Sequence, residues 1–258
     1  MRRYPVAIAV LLGWSLLLPA AYVAQAVGFS GSDPAALGAF ADRAGTRAVT
    51  AYLYLGWAVY LWVSLMLWGP GLSLRDEQLR GSFEALFMTP APRASLLVGG
   101  APAQLVPAML IFGVVAAMLR FAFGIPLGWL ALIGGLAVIA ASIPVLLALG
   151  ALFAVAVLRF RDAEALVSIS RGAVGVLCGV TYPIAVLPGW LRPISNALPP
   201  TQIIALLRTA VLHPSSLSGQ LGRLWLVLGM AVLCGAVALW LFGRALARSR
   251  TTGRLGQF

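Results

Sequence analysis

Six long apolar runs decide what this chain can fold into: residues 5–27, 49–72, 95–119, 128–158, 165–187 and 219–243. Each reaches the roughly 20 mostly apolar residues that a helix needs to cross the hydrocarbon core of a bilayer. Backbone inside lipid must satisfy its own hydrogen bonds, and unbroken apolar runs of this length do so as helices rather than as barrel strands. The expected fold is therefore an all-α integral membrane protein. Its six transmembrane helices form a single domain over 1–258, with little chain left for a soluble one. A mean hydropathy of +0.97, with 61% of residues hydrophobic, agrees.

The charges then set topology. All 18 basic residues are arginine, and the chain contains no lysine. A P-loop of the form G-x-x-x-x-G-K-[ST] needs its lysine to reach the β- and γ-phosphates, so the chain is not a conventional ATPase by itself. The net charge of +11 is spread between the apolar runs instead of forming the stripe that nucleic acid requires. Arg2, Arg3, Arg75, Arg80, Arg93, Arg159, Arg161, Arg244, Arg248, Arg250 and Arg254 fall on one side of the expected topology. Arg43, Arg47, Arg120, Arg192, Arg208 and Arg223 fall on the other. The positive-inside bias places both termini and the 73–94 loop in the cytoplasm. The N-terminus also resembles a secretory signal, with Met1-Arg2-Arg3 before an apolar run and Ala24-Gln25-Ala26 after it. That run is longer than a usual signal core, which favours a retained span.

Catalytic groups are sparse. Cys178 and Cys234 lie within expected spans, away from any disulfide or zinc pattern, and the single histidine, His213, sits beside Pro214 with no carboxylate near it in sequence. The carboxylates Asp33, Asp42, Asp76, Glu77, Glu84, Asp162 and Glu164 all fall in or beside loops. Proton-coupled carriers and intramembrane enzymes keep ionisable groups inside the bundle, so both classes are disfavoured.

Two connections carry functional signal. In the segment from Arg75 to Pro90, Leu79, Phe83, Leu86 and Phe87 recur at helical spacing, giving an apolar stripe beside charged residues. Ser82 suits a helix cap, Glu84 suits the positive end of the helix dipole, and Pro90 disfavours helical geometry at Thr89. An interfacial helix lying on headgroups and a helix gripped by a cytoplasmic partner fit this pattern about equally. The external connection 183–218 is broken at Tyr182-Pro183, at Leu187-Pro188-Gly189-Trp190-Leu191 and at Leu198-Pro199-Pro200-Thr201. Between the breaks lie apolar stretches too short to span, notably Ile203 to Leu212. Broken helices at membrane depth need packing against protein or a cavity, so a re-entrant pair is expected here.

Three features inside the spans are weaker candidates. Tyr54, Trp57, Leu61, Ser64 and Trp68 share one helical face that either lines a substrate route or anchors at the interface. Gly172, Gly175 and Gly179 make a small-residue ridge suited to close helix packing. Arg171 lies about two turns inside the fifth run, placed to snorkel or to meet an anionic headgroup.

Taken together these residues resemble a type-2 ATP-binding-cassette permease, a family with many bacterial drug, lipid and polysaccharide exporters. The family's cytoplasmic loop has an acidic residue, then Gly-Thr-Leu-Glu, a Leu and a Thr-Pro. Glu77, Gly81-Ser82-Phe83-Glu84, Leu86 and Thr89-Pro90 match it, with Ser for Thr and Phe for Leu. Its later pattern appears at Tyr182-Pro183, Leu187 to Leu191, Ile194-Ser195, Pro199 to Thr201 and Leu207-Arg208. Arg159-Phe160-Arg161-Asp162 and the tail from Ala247-Arg248 to Gly256 also fit.

The resemblance implies that 76–89 is a coupling helix on a separate ATPase subunit, present in two copies. Phe83, Leu86 and Phe87 would fill the ATPase groove, with Glu77, Arg80 and Glu84 on its rim and Gly81 within the matching motif. It implies a second permease copy or a paralogue, with the substrate route between them lined by Tyr54, Trp57, Ser64 and Arg171. An external gate would include Pro183, Pro188, Trp190 and Pro199. The chain itself would bind no cofactor; ATP and Mg2+ would belong to the ATPase. The surroundings would be the lipid of a bacterial or archaeal cytoplasmic membrane. One departure is that only four residues precede Pro5, where relatives often begin with an amphipathic helix. The competing classes are a membrane scaffold or regulatory subunit, which the coupling segment disfavours, and a lipid-modifying enzyme, for which no acid, histidine or metal cluster is visible.

Overall fold

The computed structural model describes residues 5–30, 34–79, 102–157 and 163–252. Among them every regular element is a helix. In chain order the α-helices are α1 (Pro5–Ser30), α2 (Pro34–Ala44), α3 (Val49–Leu79), α4 (Pro102–Phe121), α5 (Trp129–Val157) and α6 (Ala163–Leu177). Then come α7 (Leu191–Ala197), α8 (Pro199–Leu212) and α9 (Leu221–Thr252). Short 3-10 turns occupy Ile184–Val186 and Pro214–Gln220.

Among the described residues, three helices are long and apolar enough to cross a membrane: α3 over Val49–Gly69, α5 over Trp129–Val157 and α9 over Leu221–Arg244. Shorter apolar stretches lie in α1 at Leu16–Gln25 and in α4 at Met109–Phe121. The fifth apolar run is not one helix. Helix α6 stops at Leu177, and Gly179 follows in the left-handed region at φ +66°. Only glycine takes that conformation without a Cβ penalty, and Pro183, four residues on, has no N–H to resume a ladder. The expected ridge of Gly172, Gly175 and Gly179 is therefore corrected: Gly179 makes the turn, and a Cβ on Gly175 would stand 3.6 Å from the Tyr60 ring. A second correction concerns the 76–89 helix, because Asp76 to Leu79 continue α3 instead of starting a new element. Helix α2, a short element with exposed Asp42 and Arg43, was not anticipated.

The chain packs as two compact units, each assembled from three stretches. One comprises Met1–Trp62, Ala108–Ala140 and Ala173–Arg223; the other comprises Val63–Pro107, Ala141–Gly172 and Leu224–Phe258. In the first, residues 51–59 of α3 are buried without interruption. A helix apolar on every face belongs inside a bundle or a bilayer, and α8 follows the same rule, with Pro199–Ile204 and Leu206–Arg208 buried. In the second unit, Val145, Leu146 and Val155 of α5, Val167 of α6 and Val227 and Phe242 of α9 are buried. Gly235 of α9 approaches Ala148 of α5, so that an added Cβ would lie 3.8 Å from its methyl. The opposite side of α9 is bare: Trp225, Val232 and Leu233 are 71%, 74% and 64% exposed.

Candidate functional site

The break after α6 creates a specific chemical problem. The last carbonyls of any helix have no partner within it, and the irregular stretch 178–190 adds more. Buried carbonyls must nonetheless be paired. Helices α7 and α8 supply the donors. Ser195 Oγ, fully buried, donates to the Leu177 carbonyl at 2.6 Å. Arg192 donates through Nε to Leu187 O at 2.8 Å and through Nη2 to Ala185 O at 2.7 Å. The Tyr182 hydroxyl donates to the Val176 carbonyl. Gln202 Nε2 joins α8 to α7 through the Asn196 carbonyl at 2.6 Å. Ser195→Ala is expected to lower stability by about 1–3 kcal/mol, the cost of one stranded buried carbonyl. Thermal unfolding in detergent reads the change, and an unshifted melting point would show that Leu177 has another partner.

Arg208 completes the arrangement. It sits in the apolar middle of α8 and is only 9% exposed. Its guanidinium donates to three carbonyls: Nε to Tyr52 O at 3.1 Å, Nη1 to Gly179 O at 2.9 Å and Nη2 to Val180 O at 2.7 Å. Its central carbon also stands 3.3 Å from the centre of the Tyr52 ring, a cation–π contact. The planar fork of arginine suits acceptors held on several sides; a lysine ammonium is a point charge on a flexible stem. Helix α3 accommodates the group by lacking a side chain at Gly56. A Cβ built there would overlap the Val180 carbonyl oxygen and lie 2.5 Å from Arg208 Nη2. Tyr52, Gly56, Gly179, Val180 and Arg208 thus form one clasp that ties α3 and α8 to the turn after α6.

Beside the clasp lies a cavity of about 310 Å³, lined by Arg43, Thr201, Arg208, His213 and Arg223 among others. His213 is exposed, and its Nε2 is 3.1 Å from the Gly45 carbonyl. A second cavity of about 430 Å³ is lined by Tyr22, Phe40, Leu53 and Tyr182. Among the described residues no group of three or more His, Cys, Asp or Glu is placed to hold a metal. Cys178 and Cys234 are free thiols.

The residues expected to line a substrate route separate into two groups. Tyr54 is fully buried, with its hydroxyl 3.4 Å from the Leu16 carbonyl and its ring 5.4 Å from Phe123. Trp57 packs its ring between Tyr22 and Tyr60 at 5.1 and 4.8 Å. Both serve to pack α3 within the first unit. Ser64 and Arg171, singled out separately in the sequence, meet in the second: Arg171 Nε donates to Ser64 Oγ at 3.2 Å. Of the expected gate residues, Pro183 and Pro199 are buried, whereas Pro188 and Trp190 are exposed, Trp190 by 71%. Glu77 lies in the last turn of α3. Arg80, Gly81, Phe83, Glu84, Leu86 and Phe87 lie outside the described residues, as do Arg159 to Asp162 and the tail beyond Thr252.

Sequence reasoning missed the clasp. The sequence reading uses Arg208 for topology and within the Leu207-Arg208 pair of the family pattern, although an arginine inside the apolar stretch Ile203 to Leu212 with no acid nearby is itself a signal. Such a residue must find carbonyls or a cavity. No protein-family model matches this chain, and no curated protein matches it in sequence.

Proposed function

We propose that the chain is the membrane-spanning subunit of an ATP-driven exporter of the type-2 ATP-binding-cassette kind. In this reading it has six spans and cytoplasmic termini, and works as a dimer with a second permease copy or a paralogue in a prokaryotic cytoplasmic membrane. A separate ATPase subunit, in two copies, supplies ATP hydrolysis and Mg2+, and this chain binds neither. One observation carries the reading. The ordered pattern from Tyr182-Pro183 to Leu207-Arg208, which resembles that family, coincides with a short helix pair, α7 mostly exposed apart from Ser195 and α8 largely buried, whose broken backbone is paired by Ser195 and Arg208. Its polar members therefore have structural work of the kind a re-entrant segment at membrane depth demands.

In this mechanism a partner gripping residues 80–89 acts on the C-terminal end of α3, which runs from Val49 to Leu79. At the N-terminal end of the same helix the clasp joins Tyr52 to α8 and to the turn at Gly179-Val180. Glu77, Arg80 and Glu84 rim the docking surface, while Phe83, Leu86 and Phe87 fill the groove.

The test is to purify the tagged chain from its native membrane in mild detergent and identify what accompanies it. An associated ATPase with vanadate-sensitive hydrolysis is expected. The Leu86→Asp variant should still insert but lose the ATPase or its coupling to transport. Normal transport by Leu86→Asp would sink the docking assignment, and an ATPase-free homo-oligomer would remove the transport reading itself.

A further inference from the structure

The 310 Å³ cavity beside the clasp carries charge that the clasp leaves uncompensated. Exposed Arg43, half-buried Arg223 and buried Arg208 all line it, and none of its described lining residues is acidic. Arginine is charged at every physiological pH, and like charges around one partly dehydrated space repel. The three carbonyl bonds of Arg208 use three of the five N–H groups that a guanidinium offers, and no carboxylate balances its charge from the cavity wall. An anion entering the cavity relieves this repulsion.

A second observation is independent of charge. Thr201 is 1% exposed and lines the same cavity, where the weakly polar Cys178 thiol is the side chain its hydroxyl meets. A buried hydroxyl with so weak a partner is a ready donor to an anionic oxygen. The wall thus offers cations and a hydroxyl from several directions, which suits a phosphate with its several acceptor oxygens better than a two-oxygen carboxylate.

The neighbouring cavity extends the argument. It shares Arg43 and Pro183 with the first and is walled mainly by rings and aliphatic groups, including Tyr22, Phe40 and Leu53. A cationic space thereby adjoins a greasy one. We propose that the paired cavities bind a phosphate-bearing amphiphile, with its headgroup against Arg43, Arg208, Arg223 and Thr201 and its apolar part along Tyr22 and Phe40. This inference stands on the cavities alone and needs no ATPase.

The probes are phosphatidylglycerol, phosphatidylcholine and inorganic phosphate, each titrated against the purified full chain in a neutral maltoside detergent. Bound lipid is counted by native mass spectrometry. Phosphatidylglycerol should bind about tenfold more tightly than phosphatidylcholine, as a net anionic headgroup facing unpaired cations requires. Arg43→Gln with Arg223→Gln should abolish that preference, and Thr201→Val should weaken binding about threefold. All three side chains lie outside the clasp's own hydrogen bonds, and unchanged melting would verify folding. Arg47→Gln, an exposed arginine that lines neither cavity, should have no effect. Equal affinity for the two lipids, or an Arg47→Gln loss as large as that of the cavity variants, would overturn the site. Inorganic phosphate competing at the same concentration as the lipid would keep the phosphate subsite and exclude the amphiphile. Failure of inorganic phosphate to compete places the apolar part in the second cavity.

Discussion

Arg208→Ala is expected to destabilise the protein by about 3–5 kcal/mol, lowering its melting temperature by roughly 10 °C or more. Three buried carbonyls would lose their donor at once. A hydrogen bond to a charged group contributes about 1.5–3 kcal/mol. Polar contacts measured inside membrane proteins average nearer 0.6 kcal/mol, which holds the sum below a simple threefold addition. Apolar burial would not compensate, because lipid tails solvate Ile203 and Leu206 about as well as protein does. Arg208→Lys keeps the charge but offers no planar fork, and it should recover about half of the loss. Unfolding followed by circular dichroism in detergent reads both variants. A loss below about 1 kcal/mol for Arg208→Ala would mean that the carbonyls of Tyr52, Gly179 and Val180 are paired by other groups.

Gly56→Ala should be nearly as damaging, although the same change in an unobstructed helix stabilises by up to about 1 kcal/mol. The new methyl would collide with a backbone carbonyl and with the Arg208 guanidinium. Overpacking costs about 1–3 kcal/mol when side chains can give way. Here the obstacle is main chain held in place by Arg208, so a loss of about 3 kcal/mol or more is expected. Gly113→Ala in α4 is the control, since a Cβ there meets nothing within 4 Å. The double variant Gly56→Ala with Arg208→Ala should lose less than the sum of the singles, because the two act on one contact. Strict additivity, or a harmless Gly56→Ala, would break the clasp as a unit.

These residues also show where the sequence was legible. The apolar runs that become α3, α5 and α9 are readable because length and hydropathy are local properties. The fifth run misled for the same reason: its composition is apolar throughout, while its backbone turns at a glycine whose φ no hydropathy window reports. Proline and glycine spacing did predict the breaks around Pro183, Pro188 and Pro199; α7 falls between the last two, and α8 starts at Pro199. Long-range pairs were not readable. Ser64 meets Arg171 across 107 residues, and Tyr52 meets Arg208 across 156. No periodicity links positions that far apart; only the physical demand that a buried guanidinium find acceptors pointed toward such a partner.

The 156-residue separation closed by Arg208 also fixes an order of events during synthesis. Helix α3 and the turn at Gly179 are made well before α8, so the carbonyls of Tyr52, Gly179 and Val180 wait without their donor while the chain is still growing. Until residue 208 arrives, the stretch around the turn has the bonds of Arg192 and Ser195 but lacks the side chain that ties it to α3 at Tyr52. Loops closed over such distances form late. The clasp therefore closes last: a chain truncated before α8 lacks the group that joins α3 to the turn after α6.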